Sequence, residues 1–116
     1  MQMPLVHTNP LDAIFGSLAD PTRRDILLRV TQQPLSISEL ADPYDMSFAA
    51  VAKHVAVLET AHLVSKQRQG KQQLVVAVPA TISIAKDQLD KYQQLWEDRF
   101  AALDAVLEST APKPRQ

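Results

Sequence analysis

The chain has no cysteine, which removes disulfides, thiolate nucleophiles and every cysteine-based metal site, and agrees with a reducing compartment. Glycine is almost as scarce, with two in 116 residues, too few for a glycine-rich phosphate cradle. No apolar run reaches the ~18 residues of a membrane span, and Met1 to Pro10 lacks the basic start and apolar centre of a secretion signal. His7, His54 and His62 stand apart without ligand spacing, and no Ser-His-Asp or Cys-His arrangement is evident. Asp87 and Asp90, one turn apart, read as a solvated face. These absences predict a cytoplasmic protein that is not an enzyme and uses no metal or cofactor.

What is present is 46% apolar residues, enough for one modest core in a chain the length of one domain. The formal net charge of −1 is unevenly divided. Residues 1 to 46 carry three arginines against six acids, whereas residues 47 to 79 carry Lys53, Lys66, Arg68 and Lys71 against Glu59 alone. Positive charge is therefore concentrated in the middle third, as a phosphate-facing patch requires.

Leu11, Ile14, Phe15 and Leu18 share one side of a short helix begun near Asn9 and Pro10. Asp20-Pro21 opens a second helix, with Ile26, Leu27 and Val30 inward. Arg23 and Arg24 lie in its first turn, where cations oppose the helix dipole. A phosphate partner would offset that cost, although two solvated arginines fit equally. Ser36 to Glu39 is a capping box for a third helix ending near Ala41. After the turn Asp42 to Asp45, Ser47 caps a fourth, which buries Val51, Val55 and Leu58 and turns Ala49, Ala52, Lys53 and Ala56 outward. Leu63–Arg68 and Gln73–Val78 read as strands joined around Gly70, whose positive φ suits a tight hairpin. From about Ile82 to Glu108 a long helix of roughly 39 Å carries Ala85, Leu89, Tyr92, Trp96, Phe100, Leu103 and Leu107 in a heptad-like seam. A domain this small cannot cover that seam, so a homodimer is expected, with the interface formed by Leu11, Ile14, Phe15 and by Leu89, Tyr92, Trp96, Phe100, Leu103 and Leu107. A small-molecule effector pocket around Tyr92 and Trp96 is the other reading of these rings.

These segments resemble the ArsR family of bacterial and archaeal winged helix-turn-helix repressors. The resemblance rests on Leu18 to Leu27, Ser38 to Ala41, Met46-Ser47, Ala50-Val51, Lys53 to Val55 and Val57 to Glu59 with Ala61, Leu63 and Val64. Arg68, Gly70 and Lys71 fit its wing, and the long terminal helix is similar to a metal-independent branch. The implied fold is mainly α with a small β-hairpin, a winged helix-turn-helix over 11–109 flanked by a flexible arm (1–10) and a disordered tail (110–116). The implied function is a dimeric repressor on double-stranded DNA, with the Ser47 helix in the major groove and the hairpin beside the minor groove. The family's metal-binding thiolates would fall at Ser36 to Leu40, which has none.

On this reading Lys53, Arg68 and Lys71, joined by Arg23, Arg24 and Lys66, contact phosphates. Ala49 and Ala52 allow close approach. Ser47 and Lys53 reach base edges, while Phe48 meets either a thymine methyl or the region of Tyr44, and His54 bonds either DNA or the protein itself. The family often has proline at Ala49, serine at Ala52, a polar residue at Phe48 and glycine at His62. The fourth helix has no Arg, Asn or Gln, so direct readout is expected to be modest and supplemented by groove shape and by Arg68. That poverty also admits a different class, a dimeric module that binds a protein through the alanine-rich face.

Overall fold

The structure is a computed structural model that describes residues 9–110; most of the arm and tail expected from sequence lies outside that range. Four helices start where a side chain accepts the free N–H groups of the first turn. Asn9 opens α1 (Pro10–Ser17) by accepting from the Leu11 N–H at 2.9 Å. Asp20 opens α2 (Pro21–Gln32) through the Arg23 N–H at 3.0 Å. Ser36 and Glu39 exchange bonds of 3.1 and 2.8 Å in the capping box of α3 (Ile37–Ala41). Ser47 accepts from the Ala50 N–H at 3.1 Å to begin α4 (Phe48–Thr60).

The apolar stripes of these helices meet in one core with Ile14, Ile26, Leu40, Val51, Val55, Leu58 and Leu63 all but inaccessible. Burying each such side chain contributes about 1.5–3 kcal/mol. Ile14 thereby leaves the expected dimer interface: α1 packs on α4, and Ile14 is 1% exposed within the chain. Phe15 stays on the surface and Leu11 is half-buried.

The hairpin comprises β1 (Val64–Gln69) and β2 (Gln72–Ala77), antiparallel from Val64↔Ala77 to Gln69↔Gln72. Each strand is shifted one residue from its expected span, and the turn shrinks to Gly70-Lys71. Gly70 has φ +63° at the first central position, as a type II′ turn requires. The shift of β1 originates at the end of α4. There the Leu63 N–H donates to the Leu58 carbonyl at 3.0 Å and the His62 N–H to that of Glu59 at 2.9 Å. This is a Schellman closure with His62 left-handed at φ +62°, so Leu63 ends the helix instead of starting the strand. Sequence patterning also missed a bridge from Leu35 to Val75, whose two backbone bonds of 3.2 and 2.7 Å attach the segment between α2 and α3 to β2.

The final helix, α5 (Pro79–Thr110), starts three residues before the expected Ile82. Proline loses no hydrogen bond in a first turn, so Pro79 ends the strand segment and begins the helix. The chain divides into two compact units after Ala85, within the span 11–109 that the sequence suggests as one domain. Thr81 and Ala85 are buried and belong to the first unit. From Lys86 to Thr110 every residue is exposed except the half-buried Gln88. In this second unit Leu89, Tyr92, Trp96, Phe100, Leu103 and Leu107 are 50–61% exposed and are joined on the surface by Leu95 and Val106, which the seam omitted. Trp96 and Phe100 stack with ring centroids 5.4 Å apart.

Candidate nucleic-acid interface

The outward side of α4 is nearly devoid of free polar groups. The Ser47 hydroxyl caps its own helix, and that of Thr60 donates to the Ala56 carbonyl at 3.0 Å. Ala49 is exposed and Ala52 half-buried. Phe48 is 56% exposed at the first turn, available to an external surface. Tyr44, its alternative neighbour, is otherwise engaged: its hydroxyl donates to Asp25 and its ring lies 5.4 Å from the Arg29 guanidinium. Burial, followed by the bond to Asp25, raises the Tyr44 pKa above its ordinary value. Lys53 is exposed and has no ion-pair partner among the described residues.

The arginines of α2 turn inward. Arg23 donates from Nε to the Ser17 carbonyl at 2.6 Å, with its Nη1 3.3 Å from Nδ1 of His54. The same Nδ1 is 3.9 Å from the Asp20 carboxylate. Asp20 is held below the usual carboxylate pKa, first by the Arg23 N–H and, against desolvation, by the charges of His54 and Arg23. Arg24 donates to the Leu18 carbonyl at 2.9 Å, and Arg29 to those of Leu40 and Glu39 at 2.9 and 3.1 Å. All three cations therefore satisfy carbonyls at the ends of α1 and α3.

Arg23, expected to contact phosphate, has its guanidinium engaged within the chain on two sides. Arg24 remains exposed but has one intramolecular bond. His54 adopts the protein-internal alternative. Lys66 lies 3.6 Å from Glu59, which partly neutralises it. Asp20 and Arg29, which sequence reasoning did not assign to the site, position it: Asp20 caps α2 beside His54, and Arg29 fastens α3 and the Tyr44 turn to α2.

The hairpin places Lys66, Arg68 and Gln73 on one face, with Gln67, Gln69 and Gln72 on the other, as the register dictates. Arg68 and Lys71 are exposed, as are all four of these glutamines. Among the described residues no group of three or more His, Cys, Asp or Glu side chains is placed to hold a metal ion, and no helix is long and apolar enough to cross a membrane.

Comparison with known proteins agrees with this geometry. Residues 18–67 match the model of a helix-turn-helix domain family. The HTH-type transcriptional regulator Rv2034 of Mycobacterium tuberculosis is 35% identical over 81 residues, covering 70% of this chain and 76% of that protein. The solved ArsR family transcriptional regulator RHA00566 is also 35% identical, with 76% of this chain and 91% of that one superimposed at a TM-score of 0.69. A likeness of fold alone extends to the homodimeric winged helix-turn-helix DNA-binding domain of Mb0332 from Mycobacterium bovis, 16% identical, with 92% and 86% covered at a TM-score of 0.59. The capped helix pair, the basic hairpin and the two relatives at 35% identity identify the chain as a member of the ArsR family of winged helix-turn-helix transcriptional regulators, and not an enzyme.

Proposed function

We propose that this protein is a homodimeric repressor that occupies a pseudo-palindromic operator, with α4 in the major groove and the β1–β2 hairpin beside the adjacent minor groove. One observation carries the reading. The first compact unit contains seven lysines and arginines: three cap helix ends, Lys66 pairs with Glu59, and the three left without an ion pair among the described residues are Lys53, Arg68 and Lys71. These three lie on α4 and the hairpin. Phosphates neutralised there would release counterions and make affinity fall steeply with salt. Occupying an operator blocks transcription without any further chemistry, and a chromosomal target places the protein in the cytoplasm.

Dimerisation is supported by the exposed stripe on α5. Helices in proteins owe most of their stability to packing an amphipathic face, and the same stripe on a second copy would cover this one. Two α4 helices related by a two-fold axis would then read half-sites about one helical turn apart. The fold neighbour Mb0332 is itself homodimeric. Metal sensing is not part of the proposal: there is no cysteine, α3 presents Ser36 to Leu40 instead, and α5 has carboxylates but no histidine, whereas zinc prefers nitrogen and sulfur ligands.

The test is a gel retardation titration against a promoter fragment at several salt concentrations. The Lys53→Ala plus Arg68→Ala variant is expected to bind far more weakly and with a shallower salt slope. Equal binding at equal salt would remove these residues from the site. A second reading, a protein-binding module, is favoured by the exposed Phe48 and Val57 on α4; failure of the wild type to retard any promoter DNA would select it.

A further inference from the structure

We infer that base selection at the operator is carried by the glutamines of the hairpin tip, Gln69 and Gln72 foremost, and only weakly by α4; this rests on the DNA-binding reading above. The groups able to read bases are unequally placed. On α4 the Thr60 hydroxyl serves the helix itself, the short Ser47 hydroxyl accepts in the cap, Nδ1 of His54 faces Arg23 and Glu59 pairs with Lys66, so Lys53 is the one long polar side chain left without a partner among the described residues. A lysine is a point charge with no fixed donor and acceptor geometry, suited to phosphates more than to telling one base edge from another.

The hairpin has the opposite character. Gln67, Gln69, Gln72 and Gln73 crowd the seven residues around the turn, all exposed. Their carboxamides make no hydrogen bonds to other described residues, which leaves them open to an external partner. The two-residue turn fixes Gln69 directly opposite Gln72 and Arg68 opposite Gln73, so the pairs occupy opposite faces of the ribbon tip. Cross-strand partners have Cβ atoms about 5 Å apart, close enough to address neighbouring base pairs, which rise about 3.4 Å per step along a strand.

A carboxamide offers N–H donors and a carbonyl acceptor in one plane. In the minor groove the donors match adenine N3 and thymine O2, and the acceptor matches the guanine 2-amino group. The pair is therefore equipped to distinguish A·T from G·C where the wing meets the groove, while Arg68 on the opposite face supplies charge. The operator is expected to carry its strongest base preferences at the wing positions flanking each half-site, with weaker ones under α4.

The experiment selects bound sequences from a randomised duplex pool with the full-length wild type, with Gln69→Ala plus Gln72→Ala, and with Gln69→Thr plus Gln72→Thr, which retains strand propensity should the alanine pair disturb the hairpin. Specific-to-non-specific ratios and salt slopes are then measured on the selected duplex. The expected result is at least a tenfold loss of that ratio in the glutamine variants, confined to the flanking positions, with the salt slope of non-specific binding unchanged. A variant that folds, binds with the same slope and selects the wild-type motif overturns the inference alone. A wild type that binds no duplex overturns the DNA-binding reading and this inference together.

Discussion

Arg23 holds His54 by a hydrogen bond of 3.3 Å while its Nε donates to the Ser17 carbonyl at 2.6 Å, so one guanidinium joins the end of α1, the start of α2 and the middle of α4. The cation that opposes the dipole of its own helix faces the negative end of the preceding one. Arg23→Ala would leave the Ser17 carbonyl and the His54 imidazole without this partner and is expected to cost about 1.5–3 kcal/mol, read as a lower midpoint in urea. In DNA titrations its salt slope should match the wild type, whereas Arg68→Ala should lower the slope by about one unit, the share of a single phosphate no longer neutralised. A reduced slope in Arg23→Ala would restore its phosphate role.

Asp20 gives the pH dependence a sign. Its folded pKa lies below the usual 3.8, first because it accepts the Arg23 N–H and then through its proximity to His54 and Arg23. The stability it contributes is thus complete above the unfolded value and is lost as pH falls through the folded one. Urea midpoints should decline below about pH 4 in the wild type and decline less in Asp20→Asn, which keeps a capping oxygen without the titrating charge. Parallel declines in the two proteins would discount Asp20.

His62 occupies the left-handed region at φ +62°, which costs an L-residue roughly 1–2 kcal/mol. Glycine removes that strain but brings about 0.5–1 kcal/mol of chain entropy. His62→Gly should therefore be neutral to about 1 kcal/mol more stable in chemical denaturation, and His62→Ala should show no gain. A clear loss in His62→Gly would indicate that the imidazole makes a contact of its own.

Trp96→Ala plus Phe100→Ala tests the α5 stripe. Truncating two central aromatics commonly removes about 2 kcal/mol or more each from an interface, so sedimentation should show a shift from dimer to monomer at micromolar concentration. Helicity should fall with it, since α5 beyond Ala85 has no cover within its own unit. A wild type that sediments as a monomer would contradict the proposed assembly.

Much of this was legible in the sequence because it is local. The caps at Asp20, Ser36 and Ser47 act over three residues, and the Val51, Val55 and Leu58 stripe repeats with the helical period, so both could be read from spacing. The left-handed residue at His62 was indicated only through the resemblance, since the family often has glycine there. The sites that differed depend on neighbours distant in sequence. A bridge of one residue pair, Leu35 with Val75, has no period to detect. Ile14 and Phe15 belong to the same amphipathic pattern, yet α4 covers only the first.

The charge pattern divides in the same way. The sequence alone determined that positive charge is concentrated between Ser47 and Pro79, that no thiolate chemistry is available, and that α5 bears more apolar surface than a small unit can bury. Tertiary structure decided which cations remain free. A guanidinium reaches six residues back or across to another helix, so Arg23, Arg24 and Arg29 found carbonyl partners that no local pattern discloses, and Lys53, Arg68 and Lys71 were left outward because no acid among the described residues folds back to meet them.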